Sequence, residues 1–112
     1  MLELRYFVTR DEKSPFEEWF LDLDPASAAK VAVALVRLEQ GNLSNVKSVG
    51  AGVLEYRIEW GPGYRVYFGR DGEALVILLT GGTKKRQQKD IDRAQDYWAD
   101  YKLRRSATRQ RG

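Results

Sequence analysis

Between residues 53 and 79 the chain alternates apolar and polar residues, turns on glycine, alternates again, turns again and ends on an unbroken apolar run. An antiparallel meander is the simplest architecture that accepts this order. Leu54, Tyr56, Ile58 and Trp60 fall on one face, and Val53, Glu55, Arg57 and Glu59 on the other. Gly61-Pro62-Gly63 reads as a three-residue hairpin loop, after which Tyr64, Val66 and Phe68 alternate with Arg65 and Tyr67. That loop would set Trp60 opposite Tyr64, Glu59 opposite Arg65 and Arg57 opposite Tyr67. One sheet face would then carry Glu55, Arg57, Glu59, Arg65 and Tyr67. Ala74 to Leu79 is apolar without alternation, as a central strand covered on both faces requires, and Gly81-Gly82 is expected to end it.

The remaining segments supply helices. Leu2, Leu4, Tyr6 and Val8 alternate with Glu3, Arg5 and Phe7, which predicts a first strand. Ser14, Pro15 and Glu17 form a helix-start signal, and Phe16, Trp19, Phe20 and Leu23 follow at helical spacing. Asp24 and Pro25 start a second helix with Ala28, Val31, Leu35 and Leu38 on one face and Gly41 as its stop. Residues 41–52 are rich in Gly, Ser and Asn and read as a loop. Ile91, Ala94, Trp98 and Tyr101 predict a C-terminal helix. The expected fold is α+β, with an antiparallel meander sheet, an N-terminal strand, a helical hairpin packed on one face and a C-terminal helix. Residues 1–101 form a single domain in this reading, and 102–112 a basic, disordered tail. The aromatics Trp19, Phe20, Trp60, Tyr64, Phe68 and Trp98 are assigned to the core, and the acidic residues from Asp90 to Asp100 to the solvent face of the last helix.

Composition narrows the chemistry. The chain contains neither cysteine nor histidine, which removes thiol nucleophiles, thiolate metal sites and the usual neutral-pH proton shuttle. Acid-base work would fall to Lys, Arg, Tyr or carboxylates. Residues 1–40 carry 5 basic and 8 acidic side chains, whereas residues 53–89 carry 7 basic and 4 acidic, so the second half suits a polyanion. MLELRYFVTRDEK lacks the apolar core of a secretory signal, and Ala74 to Leu79 is too short to span a bilayer. The expectation is a soluble, cytoplasmic protein with no membrane contact.

The mixed Arg and Glu face has a plain explanation in cross-strand pairing, such as Glu59 with Arg65, exposed to water. Two arginines and a tyrosine on rigid strands near Lys84 and Lys85 also make a phosphate site. Neither glycine cluster fits a phosphate-binding loop pattern. Glu55 and Glu59 share a face, but neighbouring arginines would hold both ionised, which favours an orienting role over acid-base work.

The segment LEYRIEWGPGYRVYFGRDGEALVILLTGGTKKRQQKDIDRAQDYW, through its E-x-R-I, G-P-G-Y-R-V-Y-F and I-L-L-x-G-G motifs, closely resembles the C-terminal half of the RelE/ParE toxin superfamily. Within it, the match is to HigB-like addiction-module killer proteins of the phage-derived type. PFEEWFLDL and the helix after it agree, and the resemblance covers roughly residues 3 to 101. It implies a type II toxin that enters the ribosome and cleaves messenger RNA by attack of the ribose 2′-hydroxyl on the neighbouring phosphate, without metal or cofactor. Its partners would be the ribosome, mRNA and a cognate antitoxin, usually a helix-turn-helix protein from the adjacent gene, with DNA reached only through the antitoxin complex. Carried over by position, Arg57 and Arg65 would bind the phosphate and Lys84 would assist the leaving group, with Tyr67 a further catalytic candidate for proton transfer or base stacking. Lys85, Arg86 and Lys89 would contact RNA, and Glu55 would orient Arg57. Relatives commonly carry an acid, then lysine and a small hydroxyl residue after Gly-Gly, where this chain has Thr83, Lys84 and Lys85. Two alternatives share the architecture: a ParE-like inhibitor that binds DNA gyrase, and an inactive phage-derived domain that binds its antitoxin.

Overall fold

The structure, a computed structural model, describes the backbone of residues 1–111 and side chains as far as Thr108. Strand β1 spans Glu3–Tyr6, followed by helices α1 (Pro15–Leu21) and α2 (Pro25–Glu39). Strands β2 (Val46–Ser48), β3 (Leu54–Ile58), β4 (Tyr64–Asp71) and β5 (Leu75–Thr83) follow. A 3-10 turn, Lys84–Arg86, then leads into helix α3 (Gln87–Arg111). The five strands form one sheet in the order β1-β5-β4-β3-β2, antiparallel throughout except that β1 runs parallel to β5. No helix among the described residues is long and apolar enough to cross a membrane.

Both N-terminal helices begin at the sequence signals. The Ser14 hydroxyl accepts from the Glu17 N–H at 3.4 Å, and the Asp24 carboxylate accepts from the Ser27 N–H at 3.2 Å, each satisfying an N–H that the helix leaves unpaired. Phe16, Val31, Ala34 and Leu38 of this hairpin pack on Tyr56, Ile58, Val66, Phe68, Val76 and Leu78 of one sheet face. The full burial of Phe16, Val31 and Leu38 contributes about 1.5–3 kcal/mol each. Across the sheet, Ala94 and Trp98 of α3 pack on Val53, Tyr67, Ile77 and Leu79. The meander therefore has two cores, and its second face is covered rather than open to water.

Several expectations are corrected. Residues 41–52 are not all loop, because β2 pairs with Leu54–Tyr56 of β3 and adds an edge strand. Strand β3 ends at Ile58, not Trp60, so the hairpin loop has five residues and pairs Ile58 with Tyr64, Arg57 with Arg65 and Glu55 with Tyr67. The Trp60 N–H bonds to the Ile58 carbonyl and the Gly63 N–H to the Trp60 carbonyl, a turn that consumes Glu59 and Trp60 as loop residues. Glu59 consequently has no place opposite Arg65, and Trp60 is 37% exposed instead of core.

Gly81 and Gly82 lie inside β5 and do not end it. Tyr67 pairs with Thr80 and Phe68 with Leu78, so Leu79 is an extra residue, a bulge that resets which face the following side chains take. Gly81 then faces α1, where a Cβ would come within 2.2 Å of Trp19 Cε3. Gly81→Ala is expected to destabilise by about 1–3 kcal/mol through overpacking, lowering the melting temperature in a calorimetric scan. An unchanged melting temperature would show that Trp19 moves aside freely.

The helix also continues through residues 102–111, where a disordered tail was expected. Arg105 Nη1 binds Asp71 at 2.5 Å, Tyr101 donates to the same carboxylate at 2.6 Å, and Arg104 donates to the Val8 carbonyl at 2.6 Å. Basic residues here are docked on the β4–β5 turn and on the end of β1. Gly112 lies outside the described residues.

Candidate active site

The β3–β4 pairing brings Glu55, Arg57, Arg65 and Tyr67 together on the α3 side of the sheet. Arg57 Nε donates to Glu55 Oε1 at 3.0 Å, while Arg65 Nε stands 4.0 Å from Glu55 Oε2. Gln87, in the first turn of α3, donates to Glu55 Oε2 at 2.8 Å. Burial pushes the Glu55 carboxyl up, but the bonds from Arg57 and Gln87 and the charge of Arg65 outweigh it, holding the group below its ordinary pKa of 4.5. One ionised carboxylate thus faces two guanidinium groups, so the cluster keeps a net positive charge. Among the described residues, Arg65 Nε has no hydrogen-bond partner.

The arginines differ in access. The Arg57 side chain is 36% exposed at the rim, whereas Arg65 is buried behind it. Tyr67 is fully buried, so it has no surface on which to stack a base. Its hydroxyl lies near Glu55 without reaching hydrogen-bond geometry, and burial followed by the Glu55 charge drives its pKa far up. It remains a phenol and supports the cluster from beneath. Lys84, Lys85, Arg86 and Lys89 are all exposed. The Lys84 N–H donates to the Gly63 carbonyl at 2.9 Å, which fixes the start of the basic turn against the hairpin loop. The structure therefore brings Glu55, Arg57, Arg65 and Tyr67 into one cluster, with the lysines on the surface beside it.

Two residues of this region escaped the sequence reading. Gln87 and Asp90 occupy the same helical stripe as Ala94, Trp98 and Tyr101, and a polar start to a buried stripe was the available signal. Asp90 is buried, not solvated: Gly82 has no side chain there, and a Cβ on it would lie 1.9 Å from Asp90 Oδ2. The glycine makes room for the carboxyl group. Burial raises the Asp90 pKa above its ordinary 3.8, and the nearby charges of Arg86 and Arg93 do not overcome that effect.

Because folding raises the Asp90 pKa, the folded chain holds this proton more tightly, and the Asp90 contribution to stability is fully present below pH 3.8 and is lost as pH rises through the folded value. Asp90→Asn should therefore raise the melting temperature at pH 7, with the gain vanishing as pH falls below 3.8. A gain independent of pH would point to packing instead of charge burial.

Residues 18–98, which include the cluster and most of both cores, match the family model described as Phage derived protein Gp49-like (DUF891). An uncharacterized protein of Haemophilus influenzae is 45% identical over 80 residues, covering 70% of this chain and 81% of the relative. The chain belongs to the Gp49-like phage-derived protein family.

Proposed function

We propose that the chain is the toxin of a type II toxin-antitoxin system, of the RelE/ParE superfamily and HigB-like, and that it cleaves messenger RNA on the ribosome. The observation that carries this reading is the Glu55-anchored pair Arg57 and Arg65, a rigid cluster with surplus positive charge and one guanidinium at the surface. Membership of a phage-derived family supports the toxin class.

In the proposed reaction the ribose 2′-oxygen forms a bond to the adjacent phosphorus and the bond to the 5′-oxygen breaks. The 2′-hydroxyl loses its proton and the departing 5′-oxygen gains one, leaving a 2′,3′-cyclic phosphate and a 5′-hydroxyl. Negative charge builds on the phosphate oxygens as the 2′-oxygen adds, and fixed donors aimed at them lower the barrier. Arg57 meets those oxygens from the rim. Arg65, held behind it by Glu55, contributes field without having to leave water during the reaction. Lys84, exposed at the start of the basic turn, would supply the ammonium for the departing oxygen, and Lys85, Arg86 and Lys89, also exposed, would attract the RNA backbone. The ribosome aligns the message, and a cognate antitoxin, proposed as an adjacent-gene helix-turn-helix protein, blocks the toxin.

Primer extension on cellular messages after brief induction tests this reading. Discrete cuts within translated codons are expected from the native sequence and none from Arg65→Ala. Growth arrest with uncut messages would overturn the nuclease and redirect attention to gyrase.

A further inference from the structure

The core arrangement leaves Trp60 as an exposed ring that no fold requirement places there. It leans on Tyr64, with ring centroids 6.3 Å apart and planes at 26°, and Tyr64 is pinned in turn by a 2.8 Å hydrogen bond between its hydroxyl and Ser27. The ring is therefore held at the surface. Lys30 Nζ lies 5.6 Å from its centroid. From this ring a trough of about 310 Å³ passes Lys30, Val33, Arg37 and Arg57. It joins a second hollow of about 250 Å³ that ends at Lys47, the two sharing Asn45, Arg57 and Glu59. Strand β2 pairs with Leu54–Tyr56, and the Arg57 N–H donates to the Asn45 carbonyl at 3.1 Å, so the sheet edge is open only beyond Arg57, a residue shared by the trough and the Glu55 cluster.

We infer that this trough seats the single-stranded RNA flanking the cleaved phosphate, with one base stacked on Trp60 and the neighbouring phosphates met by Lys30, Arg37 and Lys47. The inference rests on the nuclease reading above and adds to it a second surface. Lys30, Arg37 and Lys47 form no ion pair among the described residues, and Glu59 is the one carboxylate lining the trough. A cationic path with an aromatic platform is the arrangement that holds single strands without reading their sequence. An incoming base displaces the Lys30 ammonium from the ring and leaves it free for the adjoining phosphate. Arg57 at the shared rim connects the stacked nucleotide to the reacting phosphate, so the platform fixes the RNA relative to the chemistry.

The test measures binding of the full chain to a fluorescent 2′-O-methyl RNA 12-mer, which cannot undergo 2′-hydroxyl attack, alongside the cleavage assay on cellular messages. Trp60→Ala should weaken binding about tenfold while Trp60→Phe stays within about threefold of the native sequence. Arg37→Ala should reduce the slope of log affinity against log salt by about 0.7. Glu59→Gln should tighten binding, a gain that a merely structural role for the trough would not give. Native-level binding and salt slope in Trp60→Ala and Arg37→Ala, with cleavage intact, would overturn the trough and leave the nuclease standing. Loss of antitoxin binding instead of RNA binding in these variants would assign the surface to a protein partner and also overturn it. Neither binding nor cleavage by the native chain would remove both readings together.

Discussion

Arg57→Ala is expected to reduce message cleavage by about 10² to 10³-fold, the usual cost of deleting one fixed donor to a developing oxyanion, and to relieve growth arrest on induction. Of the two clustered arginines Arg57 is the accessible one, and its orientation comes from a single 3.0 Å bond to Glu55. Removing this partly exposed side chain leaves both cores untouched, and Glu55 keeps Gln87 and Arg65 as partners, so the melting temperature should fall only slightly. Arg57→Lys should recover little, since an ammonium cannot keep the Nε bond to Glu55 and present a guanidinium edge outward. The check is the rate of message cleavage by purified protein on programmed ribosomes, with a thermal melt of the same samples. Full cleavage by a folded Arg57→Ala chain would contradict the assigned site.

The second large effect is on stability. Glu55→Ala should cost about 3 kcal/mol, because it strips the counter-charge from a buried guanidinium and leaves Gln87 without its acceptor. The exposed Arg57 relaxes into water, so Arg65 carries most of the penalty. The same carboxylate sets a pH dependence opposite in sign to that of Asp90. Its folded pKa is depressed below 4.5, so its contribution is present above that value and is lost as pH falls through the folded one. Urea titrations of native and Glu55→Ala chains at pH 7 and at pH 3 should show the gap narrowing in acid. A gap below about 1 kcal/mol at pH 7, the level of a surface ion pair, would mean that Glu55 does not hold the cluster.

Much of this architecture is legible in the sequence because it rests on local rules. Ser14-Pro15 and Asp24-Pro25 start helices where their side chains can cap, and the alternation from Leu54 to Phe68 places the two faces of the hairpin correctly. The assignment of Glu55, Arg57, Arg65 and Tyr67 to one face needed only period two, which survives an error in register when the slip is by an even number of positions. The register itself depended on where β3 stops. A five-residue loop and a three-residue loop are compatible with the same Gly-Pro-Gly, and only the backbone bonds of the turn decide between them.

What remained hidden depends on contacts distant in sequence. The burial of Tyr67 and Arg65 follows from α3 lying across the second face, and no local pattern says which face a terminal helix will cover. Asp90 is buried because Gly82, eight positions earlier, lacks a side chain, and the bulge at Leu79 turns that glycine toward α3. The order of residues 102–108 likewise depends on Asp71 and the Val8 carbonyl, which lie on other elements.

The most direct test of the central claim is the chemistry of the RNA ends made by purified protein on translating ribosomes. Attack by the ribose 2′-hydroxyl at the Arg57–Arg65 cluster leaves a 2′,3′-cyclic phosphate on the upstream fragment and a 5′-hydroxyl on the downstream one, both absent with Arg65→Ala. Intact messages, or cuts that persist unchanged in Arg65→Ala, would contradict it.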